Sequence, residues 1–145
     1  MSPRGFTLIE MLVVLVIVGM LVLTVPPRIA SLRDRALVAS ASNAMALGIR
    51  QARATAFARQ VPAELRIDPA QIQVVALEGT TPVVVWSQPG PAVSGVTLAV
   101  PSTIIRLAPS GLPLGVINGT WQFSRNLIRR DVVVSRYGRV RIVAR

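Results

Sequence analysis

From Phe6 to Val25 the chain is apolar with one interruption, Glu10, and residues 11–25 carry no charge. As a helix, 20 such residues run about 30 Å, the depth of a bilayer's hydrocarbon core. Pro26–Pro27 closes the run. A helix that is hydrophobic all round can also be a buried core helix, but a single small domain could hardly enclose this one. Residues 6–27 are therefore expected to cross a membrane once. They make a poor secretory signal, because the basic region is only Met1–Arg4, the apolar run is too long and no A-x-A site follows.

Residues 28–60 keep a helical pattern without the continuous apolarity. They are Ala-rich and reach Val61–Pro62 before any proline or strand-like run. Leu37, Ala41, Ala44, Gly48, Ala52 and Thr55 recur at three- and four-residue steps, which predicts a core-facing stripe of small residues. Arg28, Arg35, Arg50 and Arg53 fall roughly opposite, on a face read as solvated or as a contact for neighbouring molecules.

At Val61 the period changes. Short β-type runs follow at Glu64–Ile67, Ile72–Leu77, Val83–Trp86, Val96–Val100, Thr103–Leu107, Trp121–Ser124, Asp131–Ser135 and Arg139–Val143. Turn signals separate them at Asp68–Pro69, Gly79, Pro89-Gly90-Pro91, Pro109-Ser110-Gly111, Asn118–Gly119 and Gly138. Asn118-Gly119-Thr120 matches a glycosylation sequon, but Asn-Gly is also a preferred hairpin pair, and the turn is the reading adopted. The expected architecture is α+β, with one long helix packed on an antiparallel sheet in residues 61–145.

Composition then narrows the chemistry. Mean hydropathy is +0.57, and the apolar excess sits largely in the first span. The net charge is +10, from 16 arginines and no lysine against six carboxylates. Residues 1–27 contain one of each sign, so the positive charge belongs to the part in water. Cys and His are absent, which removes disulfides, Cys/His zinc sites, thiol nucleophiles and a Ser–His–Asp triad. Glu64 and Asp68 are read as solvated charges, not as an acid/base pair. No catalytic residue, metal site or cofactor is expected.

Glu10 is the anomaly, since a carboxylate inside a span is costly unless it is paired or near the interface. Gly5-Phe6-Thr7-Leu8-Ile9-Glu10, behind a short basic leader and ahead of the apolar run, resembles the processing motif of type IV prepilins at every position. The resemblance implies a leader of residues 1–5, cleavage between Gly5 and Phe6 by a prepilin peptidase, and N-methylation of Phe6. It implies further that Glu10 pairs with the amino terminus of a neighbouring subunit, a charge pair that low dielectric favours. The amino terminus would lie in the cytoplasm, the span in the bacterial inner membrane and the head in the periplasm. Arg28, Arg33 and Arg35 crowd the far side of the span against Arg4 on the near side, so the positive-inside count opposes this orientation. The orientation rests on the resemblance.

Within the head, three segments resemble the GspH/FimT branch of pilin-like proteins. They are Leu107-Ala108-Pro109-Ser110-Gly111, Gly119-Thr120-Trp121-Gln122-Phe123, and Val132 to Arg141 with its Tyr137-Gly138-Arg139-Val140-Arg141 end. Arg50-Gln51-Ala52-Arg53-Ala54 is a looser match. Two functions follow from the resemblance. The first is a minor pseudopilin of a type II secretion system, or a minor pilin, acting through filament assembly with other such subunits. The second is a FimT-like minor pilin that captures DNA through Arg136, Gly138, Arg139 and Arg141.

Charge bears on the second. Residues 125–145 hold seven arginines against Asp131. In a strand Arg139 and Arg141 share one face, a spacing suited to two phosphates, and Tyr137 is placed to stack on a base. The competing reading is an edge strand charged against aggregation.

Overall fold

In the computed structural model the backbone is described for residues 7–79, 81–100, 102–115 and 117–144, with the side chains of 22–28 left out. Gly5 and Phe6 lie outside the described residues. The chain divides into two units, residues 1–33 and 34–145.

Helix α1 is Leu8–Arg59. Thr7 starts it: its Oγ1 accepts a hydrogen bond from the Glu10 amide at 3.3 Å, satisfying a donor the first turn leaves open. The helical backbone carries on through Pro26–Pro27. It stops at Gln60, whose φ of 54° lies in the left-handed region, and the Gln60 side-chain Nε2 donates to the Phe57 carbonyl at 2.8 Å.

Among the described residues eight strands follow: β1 (Ala63–Ile67), β2 (Gln71–Glu78), β3 (Thr81–Pro89), β4 (Thr97–Ala99), β5 (Ile104–Leu107), β6 (Gly119–Arg125), β7 (Ile128–Val134) and β8 (Val140–Ala144). Each expected run is a strand, but the one expected sheet is two. Their orders are β3-β2-β1-β5 and β4-β6-β7-β8, antiparallel throughout. Twist accumulates across a sheet, and eight strands about one helix divide more readily than they curl.

One core joins helix and sheets. Val38, Met45, Ile49, Ala52 and Ala56 of α1 meet Leu65, Ile72, Val74 and Ile105 from the first sheet and Trp121, Phe123, Val132 and Val134 from the second. The predicted stripe was partly misplaced. Ala41, Gly48 and Ala52 are buried, but Leu37, Ala44 and Thr55 are only partly so, and larger Val38, Met45 and Ile49 hold the seam. Gly48 lets the first sheet approach, since a Cβ there would meet Leu65 Cδ1 at 2.8 Å.

Two local readings are corrected. Asn118–Gly119 is no hairpin turn: Gly119 opens β6, and the chain arrives there from the other sheet. The tight two-residue turn is Asn126–Leu127 between β6 and β7, with Asn126 at φ 51°. Glu64 is not solvated. Its side chain is 5% exposed and bridges Arg106 at 2.8 Å and Arg66 at 2.9 Å. Burial pushes its carboxyl up, but the hydrogen bonds and charges of Arg106 and then Arg66 outweigh this and hold it below the usual value. Asp68 instead shapes the β1–β2 turn, accepting from the amides of Ala70 and Gln71.

Candidate assembly and polyanion sites

The first unit offers a helix end with an acid on it. Glu10 stands exposed in the first turn of α1, where the helix dipole favours a negative charge. Thr7-Leu8-Ile9-Glu10 also has the spacing of a capping box, so the residue predicted for assembly doubles as part of the helix start. Around and beyond it Leu8, Ile9, Leu12, Leu15 and Met20 are all exposed. Among the described residues no helix is long and apolar enough to cross a membrane. The described side chains of the predicted span are those of residues 7–21, because 22–28 are left out.

The second site is the turn between β7 and β8. Ser135 to Arg139 closes on itself: the Gly138 amide donates to the Ser135 carbonyl at 2.8 Å and the Ser135 amide to the Arg139 carbonyl at 3.0 Å. Gly138 is needed there, with φ 75°. Arg136, Tyr137 and Arg139 are exposed on this turn, and Arg141 is exposed on β8, an edge strand. Arg139 precedes β8 and does not share a regular strand with Arg141, which pairs with Val133. The Arg136 guanidinium sits over the Tyr137 ring, 5.6 Å from its centre.

The seven arginines of the carboxy-terminal segment separate in space and in use. Arg125 bridges Asp34 of α1 at 2.7 Å and Arg129 bridges Asp131 at 3.0 Å. Arg136, Arg139 and Arg141 form no salt bridge with any carboxylate of the described residues. Arg145 lies outside them. Arg130 of β7 forms no such bridge either, but it is only half-exposed, whereas the three arginines of the turn and β8 are exposed.

Sequence reasoning missed what holds that turn. Arg53, assigned to a solvated helix face, donates from Nε to the Gly111 carbonyl at 3.1 Å and from Nη2 to the Gly138 carbonyl at 2.8 Å. Both glycines have left-handed backbones, and a Cβ on either would collide with Arg53. One guanidinium therefore clamps the helix, the Gly111 loop and the arginine turn. The loose similarity around Arg50 to Ala54 was the available signal.

Residues 1–26 match the prokaryotic N-terminal methylation motif. The fold is similar to that of the type IV minor pilin FimU of Pseudomonas aeruginosa PAO1, with a TM-score of 0.64 at 12% identity over 77% of this chain and 95% of that one. It is also similar to the minor pseudopilin EpsH from the Type 2 Secretion System of Vibrio cholerae, with a TM-score of 0.56 at 12% identity over 71% of this chain and 93% of that one. The head and helix thus share a pilin-like fold, and the amino terminus carries the methylation motif. Its sequence matches no curated protein. The pilin-like long helix and antiparallel head expected from the sequence are those observed. In this pilin-like chain the two candidate sites belong to different units, the motif with Glu10 in the first and the arginine turn in the second.

Proposed function

We propose that this pilin-like chain is a minor subunit of a type II secretion pseudopilus or a type IV pilus, acting through filament assembly. A prepilin peptidase cuts between Gly5 and Phe6, and Phe6 is N-methylated. Residues 6–27 anchor the subunit in the bacterial inner membrane with the head periplasmic. The observation that carries this reading is a methylation motif over residues 1–26, with Glu10 in the first turn of α1 and exposed apolar side chains such as Leu12 and Leu15 following it. Glu10 meets the methylated amine of a neighbouring subunit, and each charge relieves the other's burial. Crosslinking in cells tests this. Glu10→Ala should insert normally but lose crosslinks to other filament subunits, and normal crosslinking by the variant would refute the charge pair.

A second reading rests on the unpaired arginines of the β7–β8 turn: the head binds DNA, or another polyanion, in the manner of a FimT-like minor pilin. Arg136, Arg139 and Arg141 each neutralise a phosphate. For duplex DNA, log affinity should fall with log salt at a slope of about −0.9 per contact. Three contacts give about −2.7, and Arg139→Gln with Arg141→Gln should flatten that by nearly two. Equal weakening by Arg33→Gln with Arg35→Gln would mean that only bulk charge acts.

A further inference from the structure

Beside the arginine turn lies a cleft of about 530 Å³, lined by Leu112, Pro113, Gly115, Asn118, Arg136 and Tyr137. We propose that this cleft receives an unpaired base of a nucleic acid strand whose phosphates lie on Arg139 and Arg141. The proposal rests on the polyanion reading above and specifies its ligand as a strand with free bases, not a closed duplex.

The chemistry of the walls selects such an occupant. Tyr137 is 75% exposed, so ring surface stays open beside the guanidinium of Arg136. Leu112, 58% exposed, gives an apolar surface on the loop side. An aromatic ring and an aliphatic side chain in one cleft suit a flat aromatic body, and every base has a face to stack. Asn118 lines the same cleft with an amide that can both donate and accept at a base edge. The occupant must also tolerate a strongly positive surround, with Arg136 in the wall and Arg139 two residues beyond the ring. A base carried on a phosphate chain meets all of these demands, whereas a neutral apolar ligand wastes the arginines. Bases stacked within a duplex do not reach such a cleft without being flipped out, which costs energy.

The cleft is also preformed, which limits the ordering cost of binding. Pro113 bridges to Leu107 of β5, and the Leu114 amide donates to the Arg106 carbonyl at 2.9 Å, so the loop wall is pinned to the first sheet. The opposite wall is fixed through Gly138, whose carbonyl accepts from Arg53 and beside which Pro113 leaves no room for a Cβ.

The test uses the full-length chain in detergent micelles and fluorescence anisotropy with three probes. These are a short oligothymidylate, an abasic oligonucleotide with the same number of phosphates, and polyglutamate. The thymidylate should bind about tenfold more tightly than the abasic strand, the difference one stacked base makes. Tyr137→Ala should bring thymidylate binding down to the abasic level while leaving abasic binding and the salt slope unchanged. Tyr137→Phe should keep the wild-type preference, because the ring and not the hydroxyl is used. Equal affinity for thymidylate and abasic strand overturns the base cleft while the phosphate contacts stand. Equal weakening of both probes by Tyr137→Ala overturns it as well, and so does polyglutamate binding as tightly as the thymidylate. If neither strand binds at physiological salt, the polyanion reading itself fails and takes the cleft with it.

Discussion

Replacing Arg53 by alanine removes one side chain and frees three segments. The guanidinium makes two hydrogen bonds, at 3.1 Å to the Gly111 carbonyl and 2.8 Å to the Gly138 carbonyl. A hydrogen bond to a charged group contributes about 1.5–3 kcal/mol, and an exposed side chain such as Arg53 belongs at the low end. Two of them give a loss of about 2–3 kcal/mol. For a domain of this size that lowers the melting temperature by roughly 10 °C. The assay is thermal unfolding of residues 28–145, which contain the compact unit 34–145 with its core. Hydrogen exchange locates the effect: the amides of Ser135 and Gly138 should exchange faster, while those pairing β6 with β7 should not. Arg53→Lys keeps the charge but cannot fork to both carbonyls, so it should recover at most half of the loss. A melting temperature within about 2 °C of wild type for Arg53→Ala would refute the clamp, since that shift is well under 1 kcal/mol.

Three further outcomes follow from the same contacts. Gly138→Ala forces a left-handed alanine whose Cβ would meet Arg53 Nη2 at 2.6 Å and Pro113 Cγ at 3.0 Å, and urea unfolding should show a loss of about 2 kcal/mol or more. Asp34→Ala strips the acceptor from Arg125 and from the Asn126 amide, both at 2.7 Å, and should cost about 2–3 kcal/mol by the same measurement, the partial exposure of Arg125 holding it below a fully buried pair. Glu64 is held below its usual value, so its contribution is complete above about pH 4.3 and fades as pH falls through the lowered value. Urea midpoints taken down to pH 3 should therefore fall less for Glu64→Gln than for wild type in that acid window, and parallel curves would refute the pairing.

The sequence carried the strands well because their signals are local. Alternation and turn residues placed all eight, as with Ile72–Leu77 inside the observed Gln71–Glu78. Pairing is not local, and so the division into two sheets was not legible. The same holds for the polar contacts. Arg53 reaches carbonyls 58 and 85 residues away, and a backbone carbonyl leaves no mark in a sequence. Glu64 finds Arg106 across 42 residues, so an isolated carboxylate near Pro69 read as solvated. At the arginine turn, counting seven cations together hid the fact that Arg125 and Arg129 are already engaged. The Asn126–Leu127 turn was missed because Asn-Leu lacks the glycine that marks most tight hairpins.

The central claim is that this chain is processed and assembled as a pilin-type subunit, and intact-mass spectrometry tests it most directly. Protein extracted from membranes of cells with active prepilin peptidase should begin at Phe6 and carry one methyl group on its amine. The same cells lacking the peptidase should yield the leader-bearing chain. A chain that keeps Met1 to Gly5 with the peptidase active, or one cut anywhere other than after Gly5, would contradict the account.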